Sequence, residues 1–324
     1  MNMPESPPWP VAEQSEGPSM TEWITEQRRA WRDELVAANL LIRTPVDGVY
    51  GRSARFEDVL LGVSRGVHRL GDDQQAERVA FPPILPRATY DLSGHLSSMP
   101  ELLGSVSSFN GSDKDHRLVL EKQAHGESWA DDFASTDVVL TPAACYPVYP
   151  MCTGKLPPEG RVFEIVGQCF RHEPSIDPMR QISFRQHEFV RVGSPEQVQT
   201  WRDVWYVRVP EFVERLGVPF RLDVANDPFF GRTGRLMAAS QRDQALKFEI
   251  LVPTFGEEFE TAVASLNAHR DHFSHAFDIH TDTDQDANTA CFGMGLERMT
   301  LALFKFHGND PADWPVSVRD LLFA

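Results

Sequence analysis

Apolar positions recur every three or four residues in some stretches of this chain and cluster or alternate in shorter ones. The contrast separates helices from strands. Over residues 20–42, Trp23, Ile24, Trp31, Leu35 and Val36 form one stripe behind Thr21 as N-cap, which predicts an amphipathic helix. Over 53–70, Phe56, Val59, Leu60, Val63 and Val67 share a side, with Ser53 as N-cap and Gly71 as the stop. Residues 79–86 read as a strand broken by Pro82, Pro83 and Pro86, which suits an edge or an interface. Short β-rich runs occupy 136–149, 161–171 and 182–192. A helix over 195–216 ends at Gly217, with Pro210 as a candidate break. Strands follow at 218–224 and 246–252, around a Gly- and Arg-rich irregular segment at 226–243, while 256–275 shows no clear period. A last helix over 296–307 ends at Gly308. Strands gathered in the middle with helices on either side predict an α+β fold with an antiparallel sheet rather than alternating βαβ units.

Composition narrows the class. No apolar run approaches the roughly 18 residues of a membrane span. The first 19 residues are proline-rich and acidic, lack the basic and apolar blocks of a signal peptide, and read as a disordered tail before one domain over 20–324. Formal net charge is −16, which argues against a large nucleic-acid interface. Four cysteines, Cys145, Cys152, Cys169 and Cys291, form no CxxC pair, which points to a reduced, cytoplasmic protein.

Two segments carry candidate chemistry. Cys169-Phe170-Arg171-His172-Glu173 precedes a loop and then Phe184-Arg185-Gln186-His187-Glu188-Phe189. Arg171 and Glu173, two apart on an expected strand, would share a face, where the arginine fork suits a phosphate and the carboxylate an amino group. Near the C-terminus, Gly293-x-Gly295-x-x-Arg298 lies where a strand runs into a helix. Its glycines admit a ligand close to the backbone, and an arginine follows one turn on. Taken alone, the first pair reads more readily as a surface ion pair on a strand, and the second reads equally well as a tight strand–helix turn.

Together, in this order, they resemble motifs two and three of the class II aminoacyl-tRNA synthetases. Pro83 resembles the proline of motif one, which in that family lies at the dimer interface, and Gly94–Pro100 resembles a stretch of the seryl enzymes. The resemblance runs from about residue 53 to the C-terminus. It implies a class II-like antiparallel β-sheet flanked by helices, a homodimer, and ATP held with Mg²⁺. Arg171 would contact the α-phosphate and the acyl oxygen, Glu173 the adenine amino group, and Arg298 the γ-phosphate. Phe189 would stack on adenine, with Phe184 as the alternative because Glu188 and Phe189 alternate across a strand. Arg180 and Gln181 would add ATP contacts. Glu249 and Glu260 are candidates for the Mg²⁺-holding acid, with Ser265 as the small polar partner.

Spacing alone reads Cys145 and Cys291 as buried core cysteines. The resemblance reads them differently. The atypical seryl-tRNA synthetases of methanogens hold zinc with a Cys–Glu–Cys set at places that look like Cys145, Glu188 and Cys291, and the substrate amine completes the shell. A synthetase would also carry a tRNA-binding domain. Only 52 residues precede the resemblance and 26 follow Arg298. The chain therefore looks like the bacterial amino acid:[carrier protein] ligases, truncated relatives of that core. These adenylate a small amino acid, typically glycine or alanine, and pass it to the phosphopantetheine thiol of a carrier protein. A synthetase paralogue acting on tRNA, or a silent amino-acid sensor, is the alternative. Carrier proteins are acidic, so docking calls for local basic surface. Arg202, Arg208 and Arg215, and the group Arg221, Arg232, Arg235, Arg242 and Lys247, are the candidates.

Overall fold

The computed structural model describes residues 19–225 and 246–324. The irregular segment expected at 226–243, with Arg232, Arg235 and Arg242, therefore lies outside the described residues, as does nearly all of the expected tail.

Seven strands form the main sheet: β3 (Glu77–Val79), β8 (Arg161–Phe170), β9 (Ser183–Gly193), β10 (Arg221–Val224), β11 (Lys247–Val252), β12 (Thr261–Arg270) and β14 (Asn288–Gly295). Their order is β10-β11-β12-β14-β9-β8-β3. Every pair is antiparallel except β3 with β8, which is parallel, so the sheet is mixed at one edge. Two strand pairs, β1 (Leu41–Arg43) with β2 (Tyr50–Arg52) and β7 (Gly154–Lys155) with β13 (Ile279–His280), lie outside it. So does a small sheet of β4 (Ile84–Pro86), β5 (Ser105–Ser108) and β6 (Ala134–Leu140).

Among the described residues the helices are α1 (Met20–Ala37), α2 (Ala54–Leu70), α3 (Arg87–Leu92), α4 (His95–Ser98), α5 (Asp113–His125), α6 (Pro195–Arg215), α7 (His272–Phe277), α8 (Leu296–His307) and α9 (Val316–Phe323). α1 stops at Ala37, earlier than its apolar pattern suggests, because the chain turns into β1. Its N-cap is Ser19 rather than Thr21, in a reciprocal capping box with Glu22. α2 starts at Ser53 and stops at Gly71, as the sequence indicates. α6 continues through Pro210. Burial of Val209, Phe212 and Val213 around it offsets the lost backbone hydrogen bond. No described helix is long and apolar enough to cross a membrane.

The two faces of the sheet have different jobs. On one, Phe189, Ile250, Leu266, Ala290, Phe292 and Met294 pack under α2, α6 and α8 in an apolar cluster that runs from Ile24 to Leu322. Gly71 is required here: a Cβ would fall 2.2 Å from the Phe189 ring. The other face carries a second cluster, in which Tyr149, Phe163, Ile165, Val190 and Phe273 surround Cys145 and Cys291.

Candidate active site

Register assembles the site. Glu249, Ser265, Gly293, Glu188 and Ile165 are successive direct partners across β11, β12, β14, β9 and β8. Lys247, Asn267, Cys291, Val190 and Phe163 form a parallel row, two residues along each strand. Direct partners point to the same face, so both rows face the Cys145 side of the sheet. Gly293 matters in this register, because a Cβ there would sit 3.3 Å from Cγ of Glu188 and crowd its carboxylate.

Cys145, Glu188 and Cys291 are all buried and bring one ligand atom each within 4.8 Å of one another. Cys145 reaches the sheet from the turn after β6. Gln186 fixes that turn, its Oε1 accepting from Ala144 N at 3.2 Å and from the Cys169 thiol at 3.0 Å. Burial, and then the Cys291 charge, push the Glu188 carboxyl up to about 8. Glu188 Oε2 is buried with no hydrogen-bond partner. The Cys145 thiol is pushed up and the Cys291 thiol down, because Cys145 donates to Cys291. Asn267 Nδ2 also donates to Cys291 Sγ at 3.3 Å, and His269 Nε2 lies 3.6 Å away. The other His269 nitrogen contacts Thr289 Oγ1 at 3.1 Å, which sets the ring. Tyr149, fully buried and stacked on Phe273 at 3.9 Å, feels the charge of all three groups. A carboxylate oxygen without a donor, beside two thiols of which one is already inclined to ionise, is a donor set short of a cation. Two thiolates and a carboxylate suit zinc, with a fourth position open.

The arginines converge beyond the glycine end of β14. Arg298 is partly buried, and its Nε and Nη1 donate to Met179 O at 3.0 Å and Ala262 O at 2.9 Å. Burial holds its guanidinium down to about 10, and repulsion from Arg171 and Arg180 acts the same way. It stays protonated at neutral pH in a cluster that a polyanion would relieve. β8 ends at Phe170, so Arg171 and Glu173 stand just past the strand rather than on it. Arg171 Nε donates to Pro142 O at 3.1 Å, and its guanidinium lies 5.4 Å from the Phe184 ring. Glu173 pairs with Arg180 at 3.4 Å.

Several sequence expectations change. Phe189 is fully buried on the opposite face, 4.8 Å from Trp205, so its ring does not face this cleft and Phe184 does. Gln181 is buried, its amide engaged by Arg52 at 2.7 Å and by Pro178 O at 3.3 Å; it holds the loop in shape. Glu260 pairs with Arg221 at 2.6 Å, away from the shared row, whereas Glu249 and Ser265 are cross-strand partners inside it. Three of the expected docking residues are neutralised within the chain. Arg208 grips Asp73 at 2.6 Å, Arg221 also pairs with Asp223 at 2.6 Å, and Lys247 is buried against Glu249 at 3.0 Å.

One network escaped the sequence reading. Glu297, 1% exposed, accepts from Arg185 N at 2.6 Å and Arg185 Nε at 2.8 Å, and pairs with Arg52 at 3.3 Å. Arg185 also grips Glu57 on α2 at 2.7 and 2.8 Å. Motif two, motif three and α2 are thereby bolted together next to Arg298. The only signals were the charges at Arg185 and Glu297 inside the motifs.

Fold and site together define a class II synthetase core. The family described as "tRNA synthetase class II core domain (G, H, P, S and T)" matches residues 129–307. A seryl-tRNA synthetase from M. kandleri, solved with A. aeolicus tRNASec, superposes with a TM-score of 0.74 at 21% identity, covering 98% of this chain and 62% of that one. Within this class, the chain belongs to the amino acid–[acyl-carrier-protein] ligase family. It is 43% identical over 277 residues to "Amino acid--[acyl-carrier-protein] ligase 2" of Bradyrhizobium diazoefficiens, covering 85% of this chain and 83% of the relative. Ligase 1 of that organism is 40% identical, at 85% coverage of each. The type-2 serine–tRNA ligase of Methanopyrus kandleri is 27% identical, and the match spans 59% of its length.

Proposed function

We propose that this protein activates a small amino acid with ATP and transfers it to the phosphopantetheine thiol of a carrier protein. The observation that carries the reading is the placement, on one sheet face, of the buried Cys145–Glu188–Cys291 set next to the converging Arg171 and Arg298. The 43% identity to a protein named as such a ligase supports the acceptor.

In the first step a substrate carboxylate oxygen attacks the α-phosphorus and the bond to pyrophosphate breaks. The carboxylate is already an anion at neutral pH, so no general base is needed. Positioning and charge neutralisation do the work. Arg171 holds the α-phosphate and the acyl oxygen, Arg298 the γ-phosphate, Glu173 the adenine amino group, and Phe184 the adenine face. Arg180 stands beside Glu173, and Glu249 with Ser265 would hold Mg²⁺, which when bound would neutralise phosphate charge. In the second step the carrier's thiolate attacks the acyl carbon, the bond to phosphate breaks, and AMP leaves. The thiol proton passes to solvent.

Cys145, Glu188 and Cys291 would hold zinc, which when bound offers its fourth position to a neutral amine and so selects a free amino acid. We further read the protein as a cytoplasmic homodimer. The four cysteines are free thiols, and Ile84, Leu92, Leu96 and Val166 expose apolar surface around the motif-one region.

The test is ATP–pyrophosphate exchange across an amino-acid panel in zinc-replete protein. Exchange with glycine or alanine, and much less with larger side chains, is expected. No exchange with any amino acid would remove the reading.

A further inference from the structure

The loop at 172–182 carries Glu173 and Arg180, and residues far away in sequence hold it. Arg28 Nε on α1 lies 2.9 Å from Asp177 Oδ2, and the Asp177 side chain is 1% exposed. The two charges touch without the geometry of a hydrogen bond, so the contact is a Coulombic pair. The other Asp177 oxygen accepts Met179 N at 2.9 Å. At the turn between β1 and β2, Gly48 O accepts Ile182 N at 2.9 Å. Gly48 has φ +80°, and a Cβ there would come within 3.2 Å of Arg180 O. Arg52 on β2 donates to Gln181 Oε1 at 2.7 Å and Ser183 O at 3.0 Å. Arg298 holds Met179 O from the far side.

These N-terminal pieces form one unit. Buried Arg32 on α1 reaches Asp47 in the turn at 3.6 Å. Ile24, Trp31 and Leu35 anchor α1 in the main core, with Trp31 edge-on to Phe255 at 5.6 Å. The unit precedes the 129–307 segment that matches the synthetase core.

We propose that residues 19–52 are a clasp that holds the ATP loop in its binding shape, with Arg28 as the positioning residue. The proposal rests on reading 172–182 as that loop. Asp177 pairs with Arg28 and accepts from Met179 N, while Arg298 holds the Met179 carbonyl, and the Asp177 charge is felt at Arg298. With Arg28 in place the carboxylate is compensated. Without it, a buried carboxylate is left without a compensating charge, and its pull on the Arg298 guanidinium competes with the triphosphate. Arg28 thus acts on ATP binding through Asp177, and the amino-acid end of the site, around Glu188, is untouched.

The experiment compares Arg28→Met, Arg28→Lys and Arg28→Met/Asp177→Asn with wild type. Steady-state exchange gives KM for ATP and for the amino acid, and hydrogen–deuterium exchange follows peptides over 172–182. Arg28→Met raises KM for ATP about tenfold, leaves KM for the amino acid within about twofold, and speeds deuterium uptake in the loop. Arg28→Lys, and removal of the opposing charge in the double variant, each restore most of the ATP effect. A folded Arg28→Met protein with wild-type KM for ATP and wild-type loop protection would overturn the clasp. So would a rise in both KM values that the double variant does not reverse. If wild type shows no pyrophosphate exchange, the ATP reading fails, and loop protection alone still decides the clasp.

Discussion

Cys291→Ala is expected to lose zinc and amino-acid-dependent pyrophosphate exchange together, with activity down by more than about 100-fold. Partners outside the ligand set already cost 10–100-fold when removed, and Cys291 is a member of the set. It has the depressed thiol, receives hydrogen bonds from Cys145 and Asn267, and lies beside His269. Its removal leaves the buried Glu188 carboxyl and Cys145 as the remaining two members of the set. Two measurements read the result: zinc per chain by elemental mass spectrometry, and the exchange rate. Zinc-binding that persists at one per chain would show that the metal sits elsewhere. Full activity in a zinc-free variant would show that the amine is held by other means.

Arg298→Ala is expected to lower kcat/KM for ATP by about 10²–10³-fold, the usual effect of removing one preorganised charged donor from a developing anion. The side chain also donates to Met179 O and Ala262 O, and leaving those buried acceptors unpaired costs about 1–3 kcal/mol of stability. Arg298→Lys separates the two effects. A lysine keeps a positive charge near the triphosphate but cannot reproduce the fork that reaches both carbonyls. It should retain more ATP affinity than alanine while destabilising the loop. Thermal melts with and without ATP check both parts. An Arg298→Ala protein with wild-type ATP kinetics would remove this residue from the site.

Much of this was legible in the sequence because local rules and tertiary structure agree. Ser53 and Gly71 bracket α2, and the glycines of the last motif mark the strand-to-helix turn that places Arg298. Ser19 and Glu22 have capping-box spacing, so even the missed N-cap was readable. α5 carries a similar signature at Ser112 and Asp115 but no buried side chain, so hydrophobic periodicity passes over it. Phe184 and Phe189 lie on opposite faces by strand alternation, and the structure packs Phe189 against Trp205, on the face away from Glu188. The interactions that hide from sequence are pairings between distant charges. Arg52 with Glu297, Arg185 with Glu57, Arg28 with Asp177 and Arg208 with Asp73 join elements far apart in the chain. The same effect reduces the expected basic patch, since Arg208, Arg221 and Lys247 each meet a carboxylate that their place in the sequence does not reveal.

The central claim is that the activated amino acid goes to a thiol. Its most direct test is the intact mass of a phosphopantetheinylated carrier protein after incubation with this protein, ATP and glycine or alanine. The account predicts a carrier heavier by one aminoacyl group, on the holo form only and reversed by hydroxylamine. An unmodified holo-carrier, under conditions where tRNA becomes charged, would contradict it.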